Sequence, residues 1–219
     1  HSLHDALPIG TNCAMVLVKG LTMWKKIIMG GVISLLAQSA FAEDINCEGV
    51  SANNSSADKL AQCQAHSFIN IYVSTCVKHL TELDVLRRKL APLPKLPPEK
   101  AKKFLQGRAG DAWPVPDMYG TFVLAIPEKT HFCAVYGLKA DSVVAQQQFL
   151  KMVAQAPAPF MVKQRVNEEM NTVPNGAIKM VAYQWSLPNA TLKMLFTLST
   201  ARSDAAQFQV LGSAALITD

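Results

Sequence analysis

The clearest alternation of apolar and polar positions lies in residues 119–154. From Tyr119 to Ile126, Phe122, Leu124 and Ile126 share one side of an extended chain and Thr121, Val123 and Ala125 the other, which predicts a strand. Pro127 to Thr130 predicts a turn. His131 to Leu138 then alternates again, with Phe132, Ala134, Tyr136 and Leu138 set against His131, Cys133, Val135 and Gly137. The period changes to that of a helix over Asp141 to Ala154. Val143, Phe149, Leu150, Val153 and Ala154 gather on one side, Gln148 and Lys151 face away, and Asp141 stands where an N-cap is needed. Pro157 and Pro159 stop that helix.

Upstream, apolar residues recur at Ile69, Tyr72, Val73, Cys76, Leu80, Leu83, Leu86 and Leu90, the three-and-four spacing of one long helix over about 57–90. Ser55 with Asp58 resembles a capping box at its start. A rival reading is a strand through Phe68 to Val77, where β-branched residues are dense. Pro92, Pro94, Pro97 and Pro98 end the helix and predict an extended connector over Ala91 to Pro98. Pro98 suits the first turn of a short helix over 98–106, closed by Gly107, whose Ala101, Phe104 and Leu105 can dock on a core. Residues 108–118 read as a loop containing Trp113.

Downstream, four more strands are predicted over 160–167, 177–187, 191–201 and 207–217. Asn175-Gly176 is a turn signal before the second of these. Pro188-Asn189 makes a short turn after it, so the second and third strands should be antiparallel neighbours. Leu192, Met194, Phe196 and Leu198 alternate with polar residues, as in a sheet with one wet face. Gly212 to Ala215 is a run of small residues over which a helix could sit. The order predicts an α+β fold: an antiparallel sheet of about five to six strands, with a long N-terminal helix and a second helix packed on one face.

The N-terminal region has a different character. Met23-Trp-Lys-Lys26 is basic, Ile27 to Phe41 is largely apolar, and Ala40-Phe-Ala42 is a small-x-small ending, which together predict a signal peptide over 23–42 cleaved after Ala42. The apolar run is short of the ~20 residues that a spanning helix needs. Residues 1–22 read as a non-native or untranslated extension, since His1 to Gly10 has the look of translated sequencing adapter. No cysteine directly follows a small-residue box as lipid attachment would require: Cys47 follows Asp44-Ile45-Asn46, and Cys13 lies upstream of the basic start. The expectation is a mature chain without a transmembrane segment, periplasmic or secreted, with a flexible lead-in over 43–56 and a single domain over 57–219.

Export changes how the cysteines are read. Cys47, Cys63, Cys76 and Cys133 are an even set in an oxidising compartment, which predicts disulfides. Cys63 and Cys76 lie about 20 Å apart on one helix, beyond the ~7 Å that a disulfide spans, so they cannot pair with each other. Cys47 with Cys63 and Cys76 with Cys133 is favoured, and the swapped pairing stays open.

Charge changes the picture once more. Of the 21 Lys and Arg, Lys19, Lys25 and Lys26 precede residue 43, and of the 16 Asp and Glu only Asp5 does, so the mature chain carries +3 rather than +5. Within it, Arg87, Arg88, Lys89, Lys95, Lys100, Lys102, Lys103 and Arg108 form a basic block interrupted only by Glu99. Such a block suits an anionic envelope component or an acidic protein, although cations also stabilise a helix C-terminus. No aromatic interleaving accompanies it, which points away from nucleic acid.

Chemistry-bearing patterns are few. Cys63-x-x-His66, Cys76-x-x-His79 and His131-x-Cys133 contain ligand types suited to zinc or copper. The helical pairs are too far apart to share an ion, so a site would combine Cys76, His79, His131 and Cys133. The ordinary reading is two disulfides with histidines nearby. Glu168-Glu169 reads as a solvated strand end. The serine-nucleophile elbow, the phosphate-binding P-loop and the His-Glu-x-x-His zinc motif are absent, and no cofactor is implied.

Gly120 with the strand Phe122 to Ile126, Cys133-Ala-Val135, the helix with Phe149-x-x-Met-Val153, and the upstream Trp113 and Cys76 helix together resemble an uncharacterised family of exported Gram-negative bacterial proteins, often labelled lipoproteins. The resemblance covers about residues 60–165 and brings no assigned activity to any residue. The expectation is a non-enzymatic periplasmic binding or interaction protein. The alternative is a small metal- or thiol-dependent enzyme using Cys76, His79, His131 and Cys133.

Overall fold

The computed structural model describes residues 46–51, 55–173 and 175–218. The predicted extension over 1–22, the predicted signal peptide over 23–42 with its cleavage site at Ala42, and residues 43–45 and 52–54 of the predicted lead-in lie outside the described residues. The rest is α+β, with four helices and one antiparallel sheet of seven strands rather than five or six.

The long helix predicted over 57–90 is divided. Helix α1 runs Ala57–Tyr72, a π-helical turn follows over Val73–Val77, a 3-10 turn over Leu80–Glu82, and α2 over Leu83–Leu90. Ser56, not Ser55, caps α1, its hydroxyl accepting from the Lys59 N–H at 3.3 Å. The break has a local cause. Ser74 and Thr75 both turn their hydroxyls back onto the Ile71 carbonyl, competing with the backbone ladder where the chain is densest in β-branched residues. The Lys78 N–H consequently bonds five residues back to Val73. The β-branched stretch that suggested a strand therefore forms the widened turn.

Helix α3, Pro98–Phe104, precedes the first three strands: β1 Gly110–Val115, β2 Phe122–Pro127 and β3 Phe132–Gly137. Helix α4, Ser142–Ala154, is capped by Asp141, which accepts from the N–H groups of Val143 and Val144. The last strands are β4 Met161–Thr172, β5 Gly176–Ser186, β6 Lys193–Ala201 and β7 Val210–Ile217. Their order across the sheet is β1-β2-β3-β7-β6-β5-β4. Strand β1 lies where a loop is expected, because Gly110 and Pro114 speak against a strand interior. Both have a place at the sheet edge. Proline needs no ladder donor on the outer side, and a Cβ on Gly110 would come within 2.6 Å of the Ile126 carbonyl oxygen.

The two faces of the sheet are covered differently. On one, Phe122, Leu124, Ile126, Cys133, Val135, Phe196 and Leu198 meet Phe68, Tyr72 and Phe149 from α1 and α4. Gly212 makes this approach possible: a Cβ there would stand 3.0 Å from the Phe68 ring and 3.1 Å from Tyr72. The Tyr72 hydroxyl donates to the Ser213 carbonyl at 2.7 Å, and Trp185 Nε1 donates to the Val153 carbonyl at 2.8 Å, fixing both helices over the sheet. Each such large apolar side chain contributes about 1.5–3 kcal/mol by its burial.

Helices α1 and α4 share one face as expected, and the short α3 packs on the other. Ala101, Phe104 and Leu105 lie against Ala112, Val123, Ala125, Ala134 and Tyr136, and the Tyr136 hydroxyl donates to the Phe104 carbonyl at 2.7 Å. Among the described residues no helix covers the remainder of this second face, where Ile178, Met180, Leu195 and Ile217 stay partly exposed.

Cys47 is bonded to Cys63 and Cys76 to Cys133, with Cα separations of 5.7 and 5.3 Å, so the swapped pairing is not the one formed. The first joins the lead-in to α1, and the second joins the π turn to β3. Among the described residues no helix is long and apolar enough to cross a membrane.

Candidate functional site: a basic rim around the β1 edge

The eight cations between residues 87 and 108 do not share one surface. Arg87, Arg88 and Lys89 ride on α2, whose Leu83 and Leu86 enter the core on the first face. Lys100, Lys102 and Lys103 ride on or beside the core-facing residues of α3 on the second face. Between the helices the proline-rich connector passes along the outer edge of β1, where the Leu96 N–H donates to the Ala112 carbonyl at 2.8 Å. A run of charge that is continuous in the chain therefore becomes a rim at one end of the sheet.

Half of these cations are held by structural contacts. Arg87 donates to the Asp84 carboxylate and to the Pro127 carbonyl, both at 2.7 Å. Lys95 pairs with Asp111 at 2.8 Å and lies 5.7 Å from the centre of the Trp113 ring. Lys103 stands 4.8 Å from the Phe104 ring and 5.6 Å from Phe208, and Arg108 stands 4.7 Å from Phe132. Arg88, Lys89, Lys100 and Lys102 are exposed and engage no acid, carbonyl or ring among the described residues. They are the part of the rim that offers charge to a partner.

The residues proposed as an alternative metal set are used otherwise. Cys76 and Cys133 are bonded to each other, so neither presents a thiolate. His79 is buried beside the π turn. Desolvation holds its imidazole below the usual value, the Lys89 and Lys78 cations lower it further, and Glu82 opposes them weakly. His131 is exposed at the start of β3 and lines an open groove of about 620 Å³ with Thr81, Glu82, Asp84, Lys129 and Thr130. Acids and cations are balanced in that groove, and Arg87 at its wall is already engaged. No three His, Cys, Asp or Glu side chains gather as metal ligands among the described residues.

One functional candidate escapes the sequence reading. Glu168 and Glu169 are not at a strand end; they lie well inside β4, a 12-residue strand on the open edge of the sheet. No alternation of charged and apolar residues marks this strand from Met161 to Met170, because its outer edge lies open and neither face demands an apolar set; Arg165, the extra residue of a β-bulge, further interrupts its period. No family model, curated protein or solved structure matches the chain.

Proposed function

We propose that the chain is an exported, non-enzymatic binding or interaction protein of the periplasm, within the exported family that its central unit resembles. Its rim would meet an anionic envelope component or an acidic protein. One observation carries the reading: Arg88, Lys89, Lys100 and Lys102 are left uncompensated on a rim where their four neighbours are anchored. Cations outside ion pairs attract anionic surfaces over roughly a Debye length, about 10 Å at 0.1 M salt. Four cysteines joined in two bonds and a leader-like N-terminal sequence support an oxidising compartment.

Co-sedimentation of the disulfide-intact protein with envelope fractions and with phosphatidylglycerol vesicles at low salt tests it. Retention should exceed that on zwitterionic vesicles or in high salt, and should drop when Arg88, Lys89, Lys100 and Lys102 are changed to Glu. Retention that ignores both salt and charge reversal would remove the rim from the account. Thiol titration separates this reading from an enzyme using Cys76, His79, His131 and Cys133, because the proposal expects none of those cysteines to be free.

A further inference from the structure

The outer edge of β4 has no backbone partner among the described residues, whereas its inner edge pairs with β5 over its whole length. Met161 and Val162 at its start are 51% and 42% exposed. An edge of 12 residues with free N–H and C=O groups is a template for another strand.

Its side chains narrow the choice of strand. Lys163 and Arg165 occupy the first half and Glu168 and Glu169 the second. Register with β5 sets Lys163, Val166, Glu168 and Met170 on the second face of the sheet, and Gln164, Asn167 and Glu169 on the first. Arg165 sits on the second face too, since it donates to the Gln184 side chain at 3.1 Å. Glu169 has a cation 3.9 Å away in Lys179, whereas Lys163 and Glu168 have no charged partner among the described residues.

We infer that a second copy of this chain occupies the edge, with β4 pairing antiparallel to β4 of its mate about a two-fold axis at Asn167. With the bulged Arg165 and Val166 counted as one position, Asn167 is the midpoint of the strand, so pairing there overlaps the two strands from end to end. Every opposed pair then shares a face, as antiparallel pairing requires. Arg165 and Val166 oppose Glu168 of the mate, Gln164 opposes Glu169, and Lys163 opposes Met170 with Glu168 on its diagonal. The guanidinium bonded to Gln184 keeps further donors for that carboxylate.

The register is enforced from both sides. A slip of two positions one way sets Glu168 directly against Glu168, and the other way Arg165 against Arg165. A slip of one position mismatches the faces. The ion pairs therefore select the register while the backbone ladder supplies the attraction, since exposed ion pairs alone contribute little. The arrangement is isologous, extends the sheet across the axis, and does not depend on an anionic partner at the far rim.

The test is molar mass by light scattering across a dilution series of the disulfide-intact protein at low salt. The expected result is a two-fold mass at the concentrated end. Glu168→Arg and Arg165→Glu should each weaken association by more than about tenfold, because attractive cross-strand pairs become repulsive. An equimolar mixture of these two variants should recover the dimeric mass, since each supplies the charge that the other lacks, and R165E/E168R should recover it alone. Cooperative thermal unfolding of the single variants, with midpoints close to that of the wild-type chain at dilutions where it is monomeric, confirms that they fold. A wild-type chain that stays monomeric overturns the inference. So does a dimer indifferent to both charge changes, or a mixture that stays monomeric.

Discussion

The two edges of the sheet are finished in opposite ways. Strand β1 is six residues long, carries Pro114, and is crossed by the connector whose Leu96 bonds to Ala112. Lys95 clips Asp111 across the same edge, α3 closes the second face beside it, and α2 packs on the first. Strand β4 is twice as long and, among the described residues, has no covering segment and adjoins a part of the second face without a helix over it. Exposed strand edges invite indiscriminate pairing, and chains manage them with proline and cover or with charges and bulges. Here β1 uses the first device and β4 the second. The first is permanent. The second is conditional, because charges that repel most strands accept one bearing the complementary order.

The largest expected effect lies at the closed end. Phe104→Ala should cost about 3–5 kcal/mol, by loss of its buried ring under Tyr136 and Phe208. Leu195→Ala on the uncovered part of the same face should cost about 1 kcal/mol or less. Equal losses in urea denaturation would erase the difference between the two ends.

Next in size, replacing Cys76 and Cys133 by Ser should lower stability by about 2–4 kcal/mol, since their bond closes a loop across 57 residues of sequence. The same measurement on Cys47 and Cys63, separated by 16 residues, should show the smaller loss. A smaller effect again, about 1 kcal/mol, is expected of Leu96→Pro, which deletes the donor that covers β1.

The mildest effect is on pH dependence. Burial depresses the His79 pKa from its usual 6.5, so the unfolded chain binds the proton more readily than the folded one. Its contribution to stability is complete above pH 6.5 and is lost as the pH falls through the folded-state value. The urea midpoint should decline on acidification below pH 6.5, and His79→Gln should flatten that part of the decline.

The alternation in β2, β3 and β6 made much of the sheet legible, because each of these strands buries one set of side chains under α1 and α4, and the turn signals at Asn175-Gly176 and Pro188-Asn189 marked out β5. Strand β1 was hidden because Gly110 and Pro114 are tolerated only at an edge, and edges cannot be identified before the strand order is known. The division of the long helix was hidden because the apolar spacing continues through Val73 and Cys76. Only the hydroxyls of Ser74 and Thr75 on the Ile71 carbonyl mark the change. Placement of α3 on the second face depends on the small residues Ala112, Ala125 and Ala134 lining up across three strands, a relation of register rather than of sequence. The basic block was legible as a count. Its distribution was not, since four of its members turn to Asp84, Asp111, Phe104 and Phe132 for reasons of packing.

The contrast between the edges is tested most directly by amide hydrogen exchange at several protein concentrations, comparing peptides over Gly110–Val115 and Met161–Thr172. In dilute solution the β4 peptide should exchange faster than the β1 peptide, then gain protection as concentration rises while β1 does not change. A β4 peptide already as protected as β1 at the lowest concentration, with no further change on concentrating, would contradict the account.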